Sequence, residues 1–154
     1  MNSEESPFPL LAKDLRESVH AALPTLRGIS DKDAAHAATP GKWSPAEIIG
    51  HLIDSAANNH QRFVRAQESS ALAFPPYAQD HWVAAQQYSR RPWNDLVSFW
   101  HAYNQHLAHV IEHIPEDRRA VPITLGTNPP VTLGFLVRDY VVHMNRHLDQ
   151  LRRR

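Results

Sequence analysis

Cysteine is missing from the 154-residue chain. Its absence excludes disulfides, thiolate metal ligands and a nucleophilic thiol supplied by the protein itself, and it fits a cytoplasmic setting. Net charge is missing too. Lys plus Arg and Asp plus Glu balance at 16 each, so no overall field draws the chain to nucleic acid or to an anionic membrane. The one basic run, Arg152 to Arg154, reads as a solvated tail. No apolar stretch approaches the roughly 20 residues that span a bilayer. The opening residues Met1 to Pro7 lack the basic start and apolar run of a secretory signal. Glycine is scarce, at five residues, and none belongs to a phosphate-binding loop. The expectation is one domain over residues 1–154, of a size that buries a single core.

What is present is helical periodicity. Leu10, Leu11, Leu15, Val19, Leu23 and Leu26 recur at steps of three and four, which places a first helix at about 8–28, kinked near Pro24. A second helix opens at Ser44-Pro45-Ala-Glu47, where Ser44 is the N-cap, Pro45 takes the first helical position and Glu47 closes a capping box. Its apolar face is Ile48, Ile49, Leu52, Ile53, Ala56 and Phe63, and it runs to about Gln67. Residues 69–91 form a connection too long for adjacent antiparallel helices, with a short helix over Gln79–Tyr88. That length reads as a crossover along the body of the protein. A third helix runs from Pro92 to Pro115 with Leu96, Phe99, Trp100, Tyr103, Leu107, Val110, Ile111 and Ile114 inward. After an irregular or briefly extended segment over 116–131, Thr132 caps a fourth, whose core side is Leu133, Leu136, Val137, Tyr140, Val141, Met144, Leu148 and Leu151. The fold class is all-α: a four-helix bundle with a long crossover between the second and third helices, without strand alternation. Trp43, Trp82, Trp93 and Trp100 read as packing residues.

Histidine is over-represented, at 11 residues. His20, His36, His60, His81, His101, His106, His109 and His113 sit among polar neighbours and read as surface residues. His143 and His147 differ, because four residues apart they share one helical face beside the Val137–Met144–Leu148 stripe. Such a pair could be solvated; held against a core, each ring needs partners for its nitrogens, and a metal ion would supply one. Two ligands do not complete a site, since a zinc-like ion that does chemistry takes three from the protein and keeps an open position. A third should come from elsewhere, and His51 is the best candidate. On the second helix it shares a face with Glu47, Asp54, Ser55, Asn58 and Arg62, at the edge of the apolar stripe. A zincin centre is excluded because Met144, not Glu, follows His143. A ferritin-like di-iron centre is excluded because Glu112-His113 has the wrong spacing and no other helix completes the set. A histidine-rich mononuclear site suits zinc, nickel or another late first-row divalent ion.

Trp43-Ser-Pro-Ala-Glu-Ile-Ile-Gly-His51-Leu-Ile-Asp54, followed in the last helix by His143-x-x-x-His147-x-x-Gln150-Leu, resembles the DinB superfamily, the group of DinB-like and YfiT-like metal-dependent bundles. The likeness covers most of the chain, including Tyr77-Ala-Gln-Asp80-His-Trp82 in the crossover. It implies a four-helix bundle with an unusual long connection, and three histidine ligands that map onto His51, His143 and His147. It also implies one of several activities. Characterised relatives are S-transferases that use thiols such as bacillithiol or mycothiol, and a thiol-dependent isomerase. At such a site a bound thiol, or a bound water, loses its proton near neutral pH. Any thiol must arrive as a cosubstrate. The expectation is therefore a metal-dependent thiol S-transferase or hydrolase acting on a small molecule, as a homodimer. Expected substrate contacts are Asp54, Asn58, Tyr77, Asp80, Asn104 and Tyr140. The alternative is a catalytically idle metal-binding or structural dimeric bundle, whose site a fourth protein ligand such as Asp54 or Asp80 would close.

Overall fold

Start signals in the sequence set where the long helices begin. The computed structural model describes residues 6–154; residues 1–5, with most of the stretch read above for a secretory signal, lie outside the described residues. Helix α1 spans Phe8–Arg27 and continues through Pro24 as one helix. A single turn, α2, follows at Asp31–Ala34. Helix α3, Pro45–Arg65, opens on the expected capping box: Glu47 N–H donates to Ser44 Oγ at 3.2 Å, and Ser44 N–H donates to Glu47 Oε2 at 2.7 Å. Helix α5 runs Trp93–Glu112, its first N–H donating to Asp31 Oδ1. Helix α6 runs Leu133–Arg152, capped by Thr132 Oγ1, which accepts from Phe135 N–H at 3.1 Å.

Around the bundle the helices follow the order α1, α5, α3, α6. Helix α1 packs on α5 and α6, and α3 packs on the same two, so of the long helices consecutive along the chain only α3 and α5 are neighbours. Between α3 and α5 the chain forms strand β1 (Leu72–Phe74), helix α4 (Gln79–Gln86) and a 3₁₀ turn at Tyr88–Arg90. The segment between α5 and α6 contributes β2 (Pro122–Leu125) and β3 (Val131–Thr132). Strand β2 pairs in parallel with β1 and antiparallel with β3, so a three-stranded sheet ties the two connections together. The sequence reading allowed only a brief extension there. Strands of two to four residues are too short to show a period of two, and β1 lies some 50 residues from its partner.

Trp93, Trp100, Phe8 and Phe63 are the largest wholly buried side chains. Two expected core residues, Leu10 and Phe99, are instead 39% and 46% exposed. Phe99 lies flat against Tyr103 on the outside of α5. Helix α3 departs most from expectation, because its polar face is buried as well as its apolar one. His51, Asp54, Ser55, Asn58, Asn59 and Arg62 are each at most 8% exposed. The crossover packs on this helix through α4, the Tyr88 turn and β1, while His51 lies against Trp43, His143 and His147. Gly50 lets Tyr88 come this close, since a Cβ there would lie 2.0 Å from Tyr88 Cδ2.

Candidate metal centre

Helix α3 brings His51 inward, and α6 brings His143 and His147 one turn apart on the face toward it. The three ring centroids lie 4.7–5.1 Å from one another. His143 Nε2 is the hub, 3.2 Å from His51 Nε2 and 3.2 Å from His147 Nε2. His51 is buried, while His143 and His147 are half-buried. Three like donor nitrogens crowded together resist protonation. Burial first, then the neighbouring His147 and His143, push His51 down to about 3. Burial and His147 also hold His143 below its ordinary value. Both rings are therefore neutral at pH 7, with lone pairs to give.

The donor set fits a divalent ion. At metal–nitrogen bonds of about 2.0–2.1 Å, two nitrogens in a tetrahedral shell lie roughly 3.3 Å apart, against 3.2 Å between the paired nitrogens here. His147 Nδ1 donates to Gln150 Oε1 at 3.0 Å, which puts the proton of the neutral ring on Nδ1 and leaves Nε2 as the donor. His51 Nδ1 is buried and has no hydrogen-bond partner among the described residues, so no such support fixes its ring. Trp43 does that by contact, its ring centroid 4.8 Å from that of His51 and 6.4 Å from that of His147. Among the described residues, no Asp or Glu oxygen joins the three histidines within the same 4.8 Å. Outward from His147 opens a cleft of about 490 Å³, lined among others by Lys42, Trp43, Asp80, Gln150 and Arg154.

The other expected site residues fall into three groups. Asp80 is exposed and lies on that cleft. Asp54 and Asn58 belong to the covered polar face of α3, and Tyr77 of the crossover lies against it. Asp54 Oδ1 accepts from Tyr88 Oη at 2.6 Å and from Gln86 Nε2 at 2.7 Å, while Oδ2 is buried without a partner among the described residues. Burial raises its pKa against those two hydrogen bonds. Asn58 Nδ2 donates to the Asp54 carbonyl at 2.9 Å. Tyr77, whose pKa burial raises, hydrogen-bonds Ser55 and stands edge-on to Trp82. Asn104 and Tyr140 form a separate core pair, Tyr140 Oη donating to Asn104 Oδ1 at 2.5 Å. Sequence reasoning took Trp43 for a packing residue and left Gln150 outside the site. A usable signal existed for each: Trp43 directly precedes the α3 cap, and Gln150 stands three residues after His147, within side-chain reach on one helical face.

Comparison with known proteins establishes the family and the fold. The sequence profile of the DinB superfamily matches residues 14–151. A protein of Oceanobacillus iheyensis named as a candidate metal-dependent hydrolase is 19% identical over 128 residues, covering 83% of this chain and 73% of its own. Among solved structures, YfiT from Bacillus subtilis superimposes with a TM-score of 0.84 at 16% identity, covering 99% of this chain and 89% of its own. It is described as a candidate metal-dependent hydrolase with an unusual four-helix-bundle topology. The mycothiol-dependent maleylpyruvate isomerase superimposes at 0.72 with 12% identity, over 96% of this chain but only 60% of that one. At such identities the likeness to these structures establishes the fold alone.

Proposed function

This chain belongs to the DinB superfamily, and from that premise we propose that it is a metal-dependent enzyme whose His51, His143 and His147 hold one divalent ion, zinc or nickel. The carrying observation is the convergence of three Nε2 atoms with no carboxylate from the described residues beside them. A structural centre would call for a fourth protein ligand. The idle-bundle alternative named Asp54 and Asp80 for that place, and neither joins the cluster. When bound, the ion supplies Lewis acidity that activates a small thiol or a water, making the protein a thiol S-transferase or a hydrolase. The chain's own residues do the rest. Burial keeps His51 and His143 unprotonated, and Gln150 fixes the His147 tautomer. Trp43 shields one side of the histidines from water. At the mouth, Asp80 and Gln150 are placed to meet polar groups of a small substrate. Asp54 and Asn58 lie under the crossover and Tyr77 within it, outside the lining of the cleft beside His147, and the Asn104–Tyr140 pair steadies α6 one turn before His143.

With a neutral charge balance and no helix among the described residues long and apolar enough to cross a membrane, a small-molecule partner in the cytoplasm is the reading that fits. A homodimer is part of the same proposal. Exposed Phe135 and Val142 on α6 offer apolar surface for it, and light scattering after gel filtration reads the mass.

Elemental mass spectrometry on tag-free protein tests the site, beside a His51→Ala/His143→Ala/His147→Ala variant shown to be folded by circular dichroism. Metal carried by the wild type and lost from these three positions in the variant supports the reading. Metal-loaded wild type is then assayed with low-molecular-weight thiols plus electrophiles, and separately with ester and amide substrates. Turnover in the first set assigns the transferase, and turnover in the second the hydrolase. Failure of the wild type to take up zinc or nickel at the three histidines sinks both.

A further inference from the structure

A second convergence of metal-ligating groups lies on the outer surface, near the end of α5. His109, Glu112 and His113 stand at i, i+3 and i+4, so all three project from one helical face. One donor atom from each lies within 4.8 Å of the others. The His109 and His113 rings are 4.4 Å apart between centroids. His113 Nδ1 donates to the His109 carbonyl oxygen at 2.8 Å. A carbonyl only accepts, so the proton of the neutral ring sits on Nδ1 and Nε2 is left as a lone-pair donor, the state a ligating imidazole requires. Across from α1, Arg16 Nη2 holds Glu112 Oε2 at 2.8 Å. That contact holds Glu112 beside the two rings through Oε2 and leaves Oε1 outside the ion pair.

We propose that His109, Glu112 and His113 form a second, independent binding site for a late first-row divalent ion, open to solvent. Two imidazoles with one carboxylate make a nitrogen-rich donor set that favours copper, nickel or zinc over magnesium or calcium. The linear order His-x-x-Glu-His also occurs in inverted zincins, where the glutamate is the base of a buried catalytic centre. Here all three residues are exposed and Arg16 engages the glutamate, so the site binds the ion without a catalytic role. His106, with its ring 6.4 Å from that of His109, continues the ridge but lies outside the three-donor cluster.

Isothermal titration with nickel alone, and with zinc alone, separates this site from the buried one. Variants of exposed residues leave the fold intact, which circular dichroism verifies. In the His51→Ala/His143→Ala/His147→Ala background the chain is expected to bind one equivalent, and His109→Ala/His113→Ala on that background to bind none above baseline. Glu112→Gln should weaken the surface isotherm several-fold, and Arg16→Ala should strengthen it by freeing the carboxylate. Equal uptake before and after His109→Ala/His113→Ala overturns the surface site and leaves the buried one untouched. An unchanged isotherm in Glu112→Gln overturns the three-ligand assignment.

Discussion

His109/His113 and His143/His147 are the same local motif, two histidines one helical turn apart, and the protein treats them in opposite ways. The α5 pair stays on the surface, with Glu112 of its own helix as third group and Arg16 as neighbour. The α6 pair faces inward, meets a third imidazole from α3, 92 residues away in sequence, and lies against a tryptophan. Spacing made both pairs; tertiary packing made only one of them a concave centre with a cleft in front. The difference teaches that an i, i+4 histidine pair specifies a direction on a helix and nothing about dielectric, access or the remaining ligands. Those come from what the rest of the fold places opposite it.

The comparison can be broken most sharply at His143, whose Nε2 touches both other donors. His143→Ala should lower nickel or zinc affinity at the buried centre by more than about 100-fold, beyond the 10–100-fold loss typical of a merely supporting partner. The surface isotherm should not move. Equilibrium dialysis reads both.

Packing supports the buried centre and not the surface one, which Gly50 tests. Gly50→Ala forces a Cβ into the Tyr88 ring, and the resulting shift should destabilise the chain by roughly 1–3 kcal/mol. Urea denaturation measures this, and an unchanged midpoint would mean that the crossover adjusts freely.

Acid should separate the two regions as well. His51 ionises near 3 in the folded chain and near 6.5 when unfolded. Above 6.5 the ring is neutral in both states and its full share of stability is present. Between 6.5 and 3 the unfolded chain takes up the proton first, so metal-free protein loses up to about 1.4 kcal/mol per pH unit through this group. Urea midpoints at pH 7.5 and 5.5 should differ less in His51→Ala than in the wild type. The smallest expected effect is at Gln150. Gln150→Ala removes the acceptor on His147 Nδ1 and should weaken buried-site binding by ~10-fold, at the low end for such partners.

The four long helices and their caps could be read from the sequence because their signals are local. Ser44-Pro-Ala-Glu47 and Thr132 act within one turn, and the α6 core positions repeat every three or four residues. The sheet could not be read, since β1 and β2 pair across a sequence gap that no short pattern encodes. Burial of the α3 polar face was hidden for the same reason. Asp54 looks like surface until Tyr88 and Gln86 of the crossover bond to it. Of the site, the His143–His147 pair was legible from spacing, whereas choosing His51 among eleven histidines needed the Trp43–Asp54 motif. The α5 cluster shows the converse: the reading of His109 and His113 as surface residues holds, and their i, i+3, i+4 spacing with Glu112 was legible but did not stand out in a chain that reads as histidine-rich throughout.

The central claim is that a donor from α3 turns the α6 pair into a metal centre. Metal content after dialysis, measured in the His109→Ala/His113→Ala background with and without His51→Ala, tests it most directly. One zinc or nickel per chain without the His51 change, and none with it, is the result this account predicts. Retention of a full equivalent after His51→Ala would contradict it.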